Sequence, residues 1–537
     1  MALPLPRVLL ATTGWPSGLL DVGSWAAAAG LAEVRIVQYQ LDETGPVEAF
    51  FAELRHFAPH LVGFRLEAGG LDEVRRSIAA VRQTVDAEVV VGGPTATSHP
   101  VEVLEATAAD YVFAGEAEET FNLFLRLARE RNSRDRLAEI PGLAYRHGGR
   151  AIWNTLPQDG YERTAADDDR ARRCLQNRVR PLAAAEVVAA NRLDYRLLHG
   201  FVREFDSLYF TGGRGCPGQC AFCAQLHGVE VRTKSARQIL DEIEAADARA
   251  GDGGLRVSRW DLFAHADLAT HRGLPVAWAA IYDEDFFLHR RRACEFFALW
   301  ADSPLRFRYR LSMQTNPSSL LDRGQPATEA FQWIDRLKPM IQLGAESFHP
   351  AVLARWRKRH TVEQLTLVLD ALETTRQDYT AFILLTDFDT TVEELIESLR
   401  RLALAAARWP RMRIASSPFT IPLYDSPTRR LLDRRGLLPP GLCFADYERP
   451  RPDWMDPLVA ELADLADAEL TYALQPVERD AAIGAAVEAV AERLEEEFAR
   501  TGQRMHHERL ARLVENARRA RDEVRQSRYR AVVRPYD

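Results

Sequence analysis

Gly213-Arg214-Gly215-Cys216-Pro217-Gly218-Gln219-Cys220-Ala221-Phe222-Cys223 is the stretch on which the reading of this chain turns. It sets three cysteines at Cys-x3-Cys-x2-Cys on a glycine-rich loop. Three thiolates so placed can each take one iron of a four-iron cluster, which leaves the fourth iron without a cysteine and open to a substrate or cofactor. An open iron implies chemistry, because a cluster that only carries electrons usually has every position filled. The competing readings are a structural zinc site and a chance grouping. Zinc calls for a fourth Cys or His in a partner knuckle, and Cys174, Cys294 and Cys443 are scattered singly.

Working outward, a short strand, Ser207-Leu208-Tyr209-Phe210, leads into the loop, and a helix is expected over 235–250 after it. Strand patterns follow at Trp278-Ala279-Ala280-Ile281-Tyr282, 307–315, 340–347 and 381–385. Cysteine spacing, the aromatic Phe222 before the third cysteine and the preceding strand together resemble the radical S-adenosylmethionine (SAM) superfamily. That resemblance implies a partial (β/α)6 barrel, a [4Fe-4S] cluster on Cys216, Cys220 and Cys223, and SAM as a further cofactor. Phe222 would then border the SAM site. Asp283-Glu284-Asp285 stands at a strand end, where acids can hold the ammonium and ribose hydroxyls of SAM. A solvated helix N-terminus, which suits acids equally, is the plain alternative. Family members often carry Asp-Asp-x-Phe here, so Glu284 is a variation that could face the substrate or the open iron. Leu343-Gly344-Ala345-Glu346-Ser347 with Lys358-Arg359-His360-Thr361 is similar to the Gly-x-Glu-Ser and Lys-x-x-Thr pattern of a subgroup, which assigns Gly344 and Glu346 to SAM. Residues 416–423 resemble the sixth strand and its proline exit.

Upstream, Val8-Leu9-Leu10-Ala11-Thr12, Val34-Arg35-Ile36-Val37, Leu61-Val62-Gly63-Phe64, 88–94 and 111–116 read as strands separated by amphipathic helices. Five strand–helix units in succession describe a doubly wound parallel sheet, whose ligand sits at the carboxyl ends of the strands. There, Gly92, Gly93, Pro94 and Thr95 allow close backbone approach and offer a hydroxyl, and Gly115 and Glu116 form a second such loop. With the barrel downstream, these loops resemble the cobalamin-binding domain of cobalamin-dependent (class B) radical SAM methyltransferases. The loop Thr13-Gly14-Trp15-Pro16-Ser17-Gly18 lacks the Asp-x-His-x-x-Gly signature, so no histidine is expected under cobalt.

Arg65, at the end of the third strand, would point toward the corrin's lower face and, always protonated, could not ligate cobalt. This resembles the arrangement in the thiostrepton-type tryptophan C2-methyltransferases. A surface arginine paired with Glu67 or Asp72 is the alternative. The resemblance extends catalytic roles to Arg65, Glu284 and Tyr309.

The whole chain reads as α/β: a doubly wound cobalamin-binding domain at 1–130, a connector at 131–195, the barrel at 196–440, and a helical cap at 441–537 over the barrel mouth. The charge runs at 131–135 and 165–170 are solvated faces of the connector. At 537 residues the chain is too long for one core. A net charge of −8 and pI near 6.0 argue against a surface that coats nucleic acid. Six cysteines in so long a chain form no secreted disulfide framework, and a thiolate-held cluster needs a reducing compartment, which points to the cytoplasm. No segment reaches the ~20 apolar residues of a membrane span. The expected activity is C-methylation with methylcobalamin as donor and SAM as its source. The substrate is a small molecule, tryptophan at indole C2 or another natural-product intermediate as in antibiotic biosynthesis, and an electron donor serves the cluster or cobalamin. Radical methylation of an unactivated carbon, a cobalamin-dependent ring-contracting or cyclising reaction, and a non-enzymatic sensor are the alternatives.

Overall fold

The computed structural model describes residues 4–128, 133–154, 182–258, 276–387, 389–417, 424, 426–438, 457–470, 476–501 and 507–533. The charge run at 165–170, Cys174, Cys443 and the proline exit after 417 lie outside them.

Two sheets organise the chain. The first has eight strands: β1 Arg7–Thr12, β2 Glu33–Gln38, β3 Leu61–Arg65, β4 Glu88–Gly92, β5 Tyr111–Phe113, β6 Leu143–His147, β7 Arg150–Trp153 and β8 Leu198–His199, in the order β7-β6-β5-β4-β3-β1-β2-β8. The strands β1 to β5 and β8 run parallel, and β6 and β7 add an antiparallel edge. The sequence is apolar at successive β1 positions because both faces are covered: Val8 and Leu10 join the core that holds Leu20 and Ala26, while Leu9 and Ala11 join the one that holds Phe50 and Leu54. The stretch expected as a polar connector therefore contributes two strands to this sheet. Tyr145 and Trp153, whose rings are buried against it, are the apolar residues that carry them there.

The second sheet is a six-stranded parallel barrel wall. Short strands precede and interrupt it: β9 Glu204–Phe205, β11 Gly213–Arg214, β12 Arg232–Thr233, β13 Arg256–Val257, β16 Leu321–Asp322 and β17 Gln325–Pro326. The wall itself is β10 Ser207–Phe210, β14 Ala277–Ile281, β15 Tyr309–Thr315, β18 Met340–Glu346, β19 Tyr379–Leu384 and β20 Met412–Ser417, in chain order. All five of its pairings are parallel, with the helices 236–251, 290–302, 328–337, 362–374 and 392–408 packed outside. Ser235 caps the first of those helices by accepting from the Gln238 amide, and a Thr361/Gln364 capping box starts the helix Val362–Thr374.

The helices Pro457–Leu470, Pro476–Thr501 and His507–Val533 pack on the helix Val392–Arg408 and on the open edge at β20. Ile483, Val487, Val490 and Leu494 are the buried stripe of that contact. Arg479, 1% exposed, donates to the carbonyls of Ala406 at 2.9 Å and Trp409 at 3.0 Å, and to that of Met412. Met412 begins β20, so the described helices flank the barrel along its β20 edge, where an unpaired edge strand needs cover. No helix among the described residues is long and apolar enough to cross a membrane.

Candidate functional site: a cysteine loop facing the first sheet

The cysteine loop hangs from a narrow neck. Gly213 and Arg214 of β11 pair antiparallel with Thr233 and Arg232 of β12, which leaves residues 215–231 as the loop. Gly215 has φ +91°, and a Cβ there would lie 1.9 Å from the Glu230 carbonyl oxygen, so only glycine fits the neck. Inside the loop, Cys216 is fixed through its amide to the Gly228 carbonyl at 3.1 Å. A Cβ on Gly218 would lie 3.2 Å from Cys216 Sγ and 3.9 Å from Cys220 Sγ, so the two sulfurs flank this glycine. The Gly218 and Gln225 amides donate to Cys216 Sγ and Cys223 Sγ, each at 3.4 Å. All three cysteines are free thiols of intermediate exposure. Burial pushes the pKa of all three thiols up, that of Cys223 to about 11, with neighbouring cysteine sulfurs adding to the shift at Cys216 and Cys223. Such a set is poised for a positively charged metal group that would stabilise the thiolates. Among the described residues no three His, Cys, Asp or Glu converge on a single ion, whereas separate thiols on one loop suit separate irons. The donor set fits a [4Fe-4S] cluster.

Several expected site residues meet this loop. Glu346, at φ +61°, accepts from Lys358 Nζ at 3.0 Å, and Lys358 lies 5.8 Å from the Phe222 ring centre. Phe222 packs edge-on against Trp356 at 5.9 Å, and the Ala221 amide donates to the Trp356 carbonyl. Burial pulls the Lys358 ammonium down, but Glu346 and the Cys220 sulfur outweigh it and hold the group above its usual range. Gly344 sits where the β18–β19 register shifts, and a Cβ there would crowd Glu346 Oε1 at 3.1 Å. Lys358, part of the motif read from the sequence, is thus the residue that joins Glu346 to the loop.

The acidic triplet behaves differently from expectation. Asp283 is buried; its Oδ1 accepts from the Gly212 and Gly213 amides at 2.6 and 2.8 Å, and its Oδ2 from Arg292 at 2.6 Å. With both oxygens occupied it anchors the glycines before the cysteine loop, which replaces the expected contact to the ammonium of SAM. Asp285 is equally enclosed, accepting from Thr315, Asn316 and Ser319. Glu284 meets His227 Nδ1 at 2.5 Å. Burial pushes the Glu284 carboxyl up, but the His227 hydrogen bond and charge and the Gly215 amide outweigh it and hold the group below the usual carboxylate range. Glu284 therefore faces the cysteine loop through a histidine that no sequence motif singles out.

Tyr309 is no site residue. It is fully buried at the first residue of β15, away from the mouth, and its hydroxyl donates to Asp247 Oδ1 at 2.9 Å on the helix Ala236–Gly251. The family resemblance that suggested a catalytic role for it is not matched by its place, which is on the helix-facing side of β15. Tyr309→Phe is expected to lower stability by about 2 kcal/mol, one buried hydrogen bond to a carboxylate, and to leave turnover unchanged. A comparison of urea midpoint and turnover number checks this.

The mouth of the barrel faces the carboxyl end of the first sheet. A cavity of ≈ 360 Å³ between them is lined by Thr13, Trp15, Arg65 and Glu67 from one sheet and by Tyr209 and Tyr282 from the other. Trp15 packs edge-on to Tyr209 at 6.3 Å, and Tyr209 edge-on to Tyr282 at 5.1 Å. Arg65 donates through Nη1 to the Trp15 carbonyl at 2.9 Å and pairs through Nη2 with Glu67 at 2.6 Å. The expected pairing with Glu67 is present, and the paired guanidinium also lines the cavity. A Cβ added at Gly14 or Gly18 would meet nothing within 4 Å, and one at Gly92 nothing nearer than the Phe113 carbonyl at 3.9 Å, so the backbone at the ends of β1 and β4 stands open to a large ligand. Gly93 differs: at φ +105° its Cβ would strike the Leu66 carbonyl at 2.8 Å, so it serves the turn. Pro94 starts the short helix after it, and Thr95 is buried with its hydroxyl unpartnered among the described residues. Thr97 ties the two loops together, donating to the Gly93 carbonyl at 2.9 Å and accepting from the Gly115 amide at 3.0 Å. Glu116 turns away from the cavity and is held by Arg232, at 2.6 and 2.9 Å, in place of the expected cofactor contact. The open glycine backbone fits cobalamin; Glu116 belongs to the contact between the two halves.

Residues 11–125 match the B12 binding domain family and residues 210–402 match the Radical SAM superfamily. The fold is shared with the radical S-adenosylmethionine methyltransferase TsrM from Kitasatospora setae, solved with tryptophan substrate and the SAM analogue aza-SAM, at TM-score 0.58 and 16% identity over 87% of this chain and 90% of that one. It is shared also with the cobalamin-dependent S-adenosylmethionine radical enzyme OxsB, solved with aqua-cobalamin and S-adenosylmethionine, at TM-score 0.62 and 14% identity over 99% and 82% of the two chains. No curated protein sequence matches the chain. An open glycine-lined sheet end and a three-thiol loop facing each other, in domains of these two families, make the chain a cobalamin-dependent radical SAM enzyme.

Proposed function

We propose that the protein is a C-methyltransferase acting on an aromatic small molecule, tryptophan at indole C2 or a related natural-product intermediate. The observation that carries this reading is Arg65, a guanidinium fixed by the Trp15 carbonyl and Glu67 at the cavity between the two sheets. When bound, methylcobalamin supplies the methyl group and SAM restores it. Arg65 would face the bound cofactor from the end of the first sheet, and its protonated guanidinium has no lone pair to offer a metal, which would favour departure of a methyl cation over a radical. Tyr209 and Tyr282 give the cavity an aromatic wall on the barrel side, suited to a flat substrate. Lys358 and Glu346 would hold SAM beside the cysteines, and the Glu284–His227 pair can relay the proton that an aromatic carbon releases on methylation. The tryptophan seen in TsrM, which has the same fold, supports this substrate class.

Reconstitution with iron, sulfide and hydroxocobalamin, followed by mass spectrometry of tryptophan and candidate intermediates incubated with SAM, tests the reading. Methylated product without stoichiometric 5′-deoxyadenosine is expected; equimolar deoxyadenosine would establish the radical alternative. Arg65→His should add nitrogen hyperfine coupling to the cob(II)alamin electron paramagnetic resonance signal and slow methyl transfer. An unchanged signal would place Arg65 away from the metal.

A further inference from the structure

The two halves of the molecule are joined through a buried charge cluster that the methyl-transfer chemistry does not use. Arg214 and Arg232 are direct partners across the neck of the cysteine loop, one entering it and one leaving it. Both reach into the first domain. Arg232 grips Glu116 with both ends of its guanidinium, Nη1 to Oε2 at 2.6 Å and Nη2 to Oε1 at 2.9 Å. Arg214 pairs with Glu118 at 2.6 Å, Asp21 at 3.0 Å and Glu116 at 3.3 Å. The Ala183 amide adds a bond to Glu116 at 2.7 Å. Every one of these charges is more than nine-tenths buried, with Arg232 at 3% and Glu116 at 9% exposure.

What distinguishes this cluster from ordinary domain packing is where its ends lead. Arg232 Nη2 also donates to the His227 carbonyl at 2.7 Å, inside the cysteine loop. Glu116 directly follows Gly115, whose amide is held by Thr97 of the neighbouring glycine loop. A displacement of the loops at the end of the first sheet must therefore move Glu116, and through Arg232 the neck from which Cys216, Cys220 and Cys223 are suspended. The neck has no slack to absorb it, since Gly215 lies against the Glu230 carbonyl. A bidentate buried pair transmits position because a shift of either partner uncovers an unpaired charge.

We propose that Glu116 is a positioning residue that couples cobalamin occupancy of the first domain to assembly of the cluster on the cysteine loop, each favouring the other. The inference rests on the cofactor reading above. Coupling is reciprocal, so the factor by which the cluster tightens cobalamin binding equals the factor by which cobalamin tightens the cluster.

The experiment titrates the full-length protein with hydroxocobalamin, once with the cluster reconstituted and once with iron chelated away, and takes the ratio of the two dissociation constants. The wild-type ratio should be about tenfold, within the range of such couplings. Glu116→Gln should bring it below about twofold while still binding both groups, and should broaden the electron paramagnetic resonance signal of the reduced cluster. Arg232→Lys, which keeps the charge and loses the fork, should fall between and covers the case in which Glu116→Gln does not fold. Tyr309→Phe, a destabilised control, should keep the full ratio. A tenfold ratio retained in both clamp variants, or a wild-type ratio of one, overturns the proposal. Wild-type protein that binds neither group overturns the cofactor reading itself, a result separate from either.

Discussion

Replacing any one of Cys216, Cys220 and Cys223 with alanine is expected to abolish the iron–sulfur cluster and all SAM-dependent turnover while the fold survives. Three thiols are the minimum that holds a four-iron cluster whose last position is open, so a single loss leaves two anchors. The cost to folding is small by comparison. Each side chain is only partly buried and removes one sulfur's worth of apolar contact, on the order of 1 kcal/mol, against the ~5–15 kcal/mol that holds typical domains together. Iron and sulfide content should drop to background, the circular dichroism spectrum should stay that of the wild type, and hydroxocobalamin should still bind, weakened by no more than the coupling through Glu116. Cys294 provides the contrast: it is buried on the helix Arg290–Asp302, and Cys294→Ser should keep the full iron content. Iron retained in a Cys216, Cys220 or Cys223 variant would show that the loop does not hold the cluster.

The cluster loop was legible in the sequence because its chemistry is local: three cysteines, an aromatic and a strand lie within about seventeen residues, and spacing alone specifies them. The strands β1 to β5 of the first sheet were legible for a related reason. A strand buried on both faces has to be apolar throughout, and Val8–Ala11, Leu61–Phe64 and Val89–Val91 are. What spacing does not encode is which partner a polar side chain finds across the fold. Asp283 and Glu116 look like cofactor ligands at strand ends, yet Arg292 and Arg232, distant from them in sequence or element, claim their oxygens. Tyr309 shows the limit of a family resemblance, which carries a residue's role over without saying which face of the strand it occupies here. His227 carried no sequence signal beyond lying four residues past the last cysteine. The strands β6 and β7 were hidden by the charge runs beside them, because an antiparallel edge has one solvated side and reads as polar.

Gly92→Ala and Gly93→Ala are adjacent substitutions expected to fail in opposite ways, and together they locate the cobalamin site. At Gly93 the backbone lies at φ +105° and ψ −177°, a region open to glycine alone, and a Cβ would meet the Leu66 carbonyl at 2.8 Å and the Leu66 amide at 3.1 Å. Strain and overpacking together should cost on the order of 3 kcal/mol, seen as a lowered urea midpoint with or without cobalamin. At Gly92 the backbone is an ordinary strand end, and a Cβ would project into space with the Phe113 carbonyl at 3.9 Å as its nearest neighbour. Alanine there should be neutral or stabilise by about 0.5 kcal/mol, because the unfolded chain loses freedom. Cobalamin reads the same position differently. If the open backbone at the end of β4 is where the cofactor comes close, the added methyl lies between them, and affinity for hydroxocobalamin should fall at least tenfold, about 1.4 kcal/mol, in a protein as stable as the wild type. Gly92→Leu should lose binding altogether. Wild-type affinity in both Gly92 variants would mean that the cofactor does not approach this loop, and that the glycine pair serves only the turn that Gly93 makes.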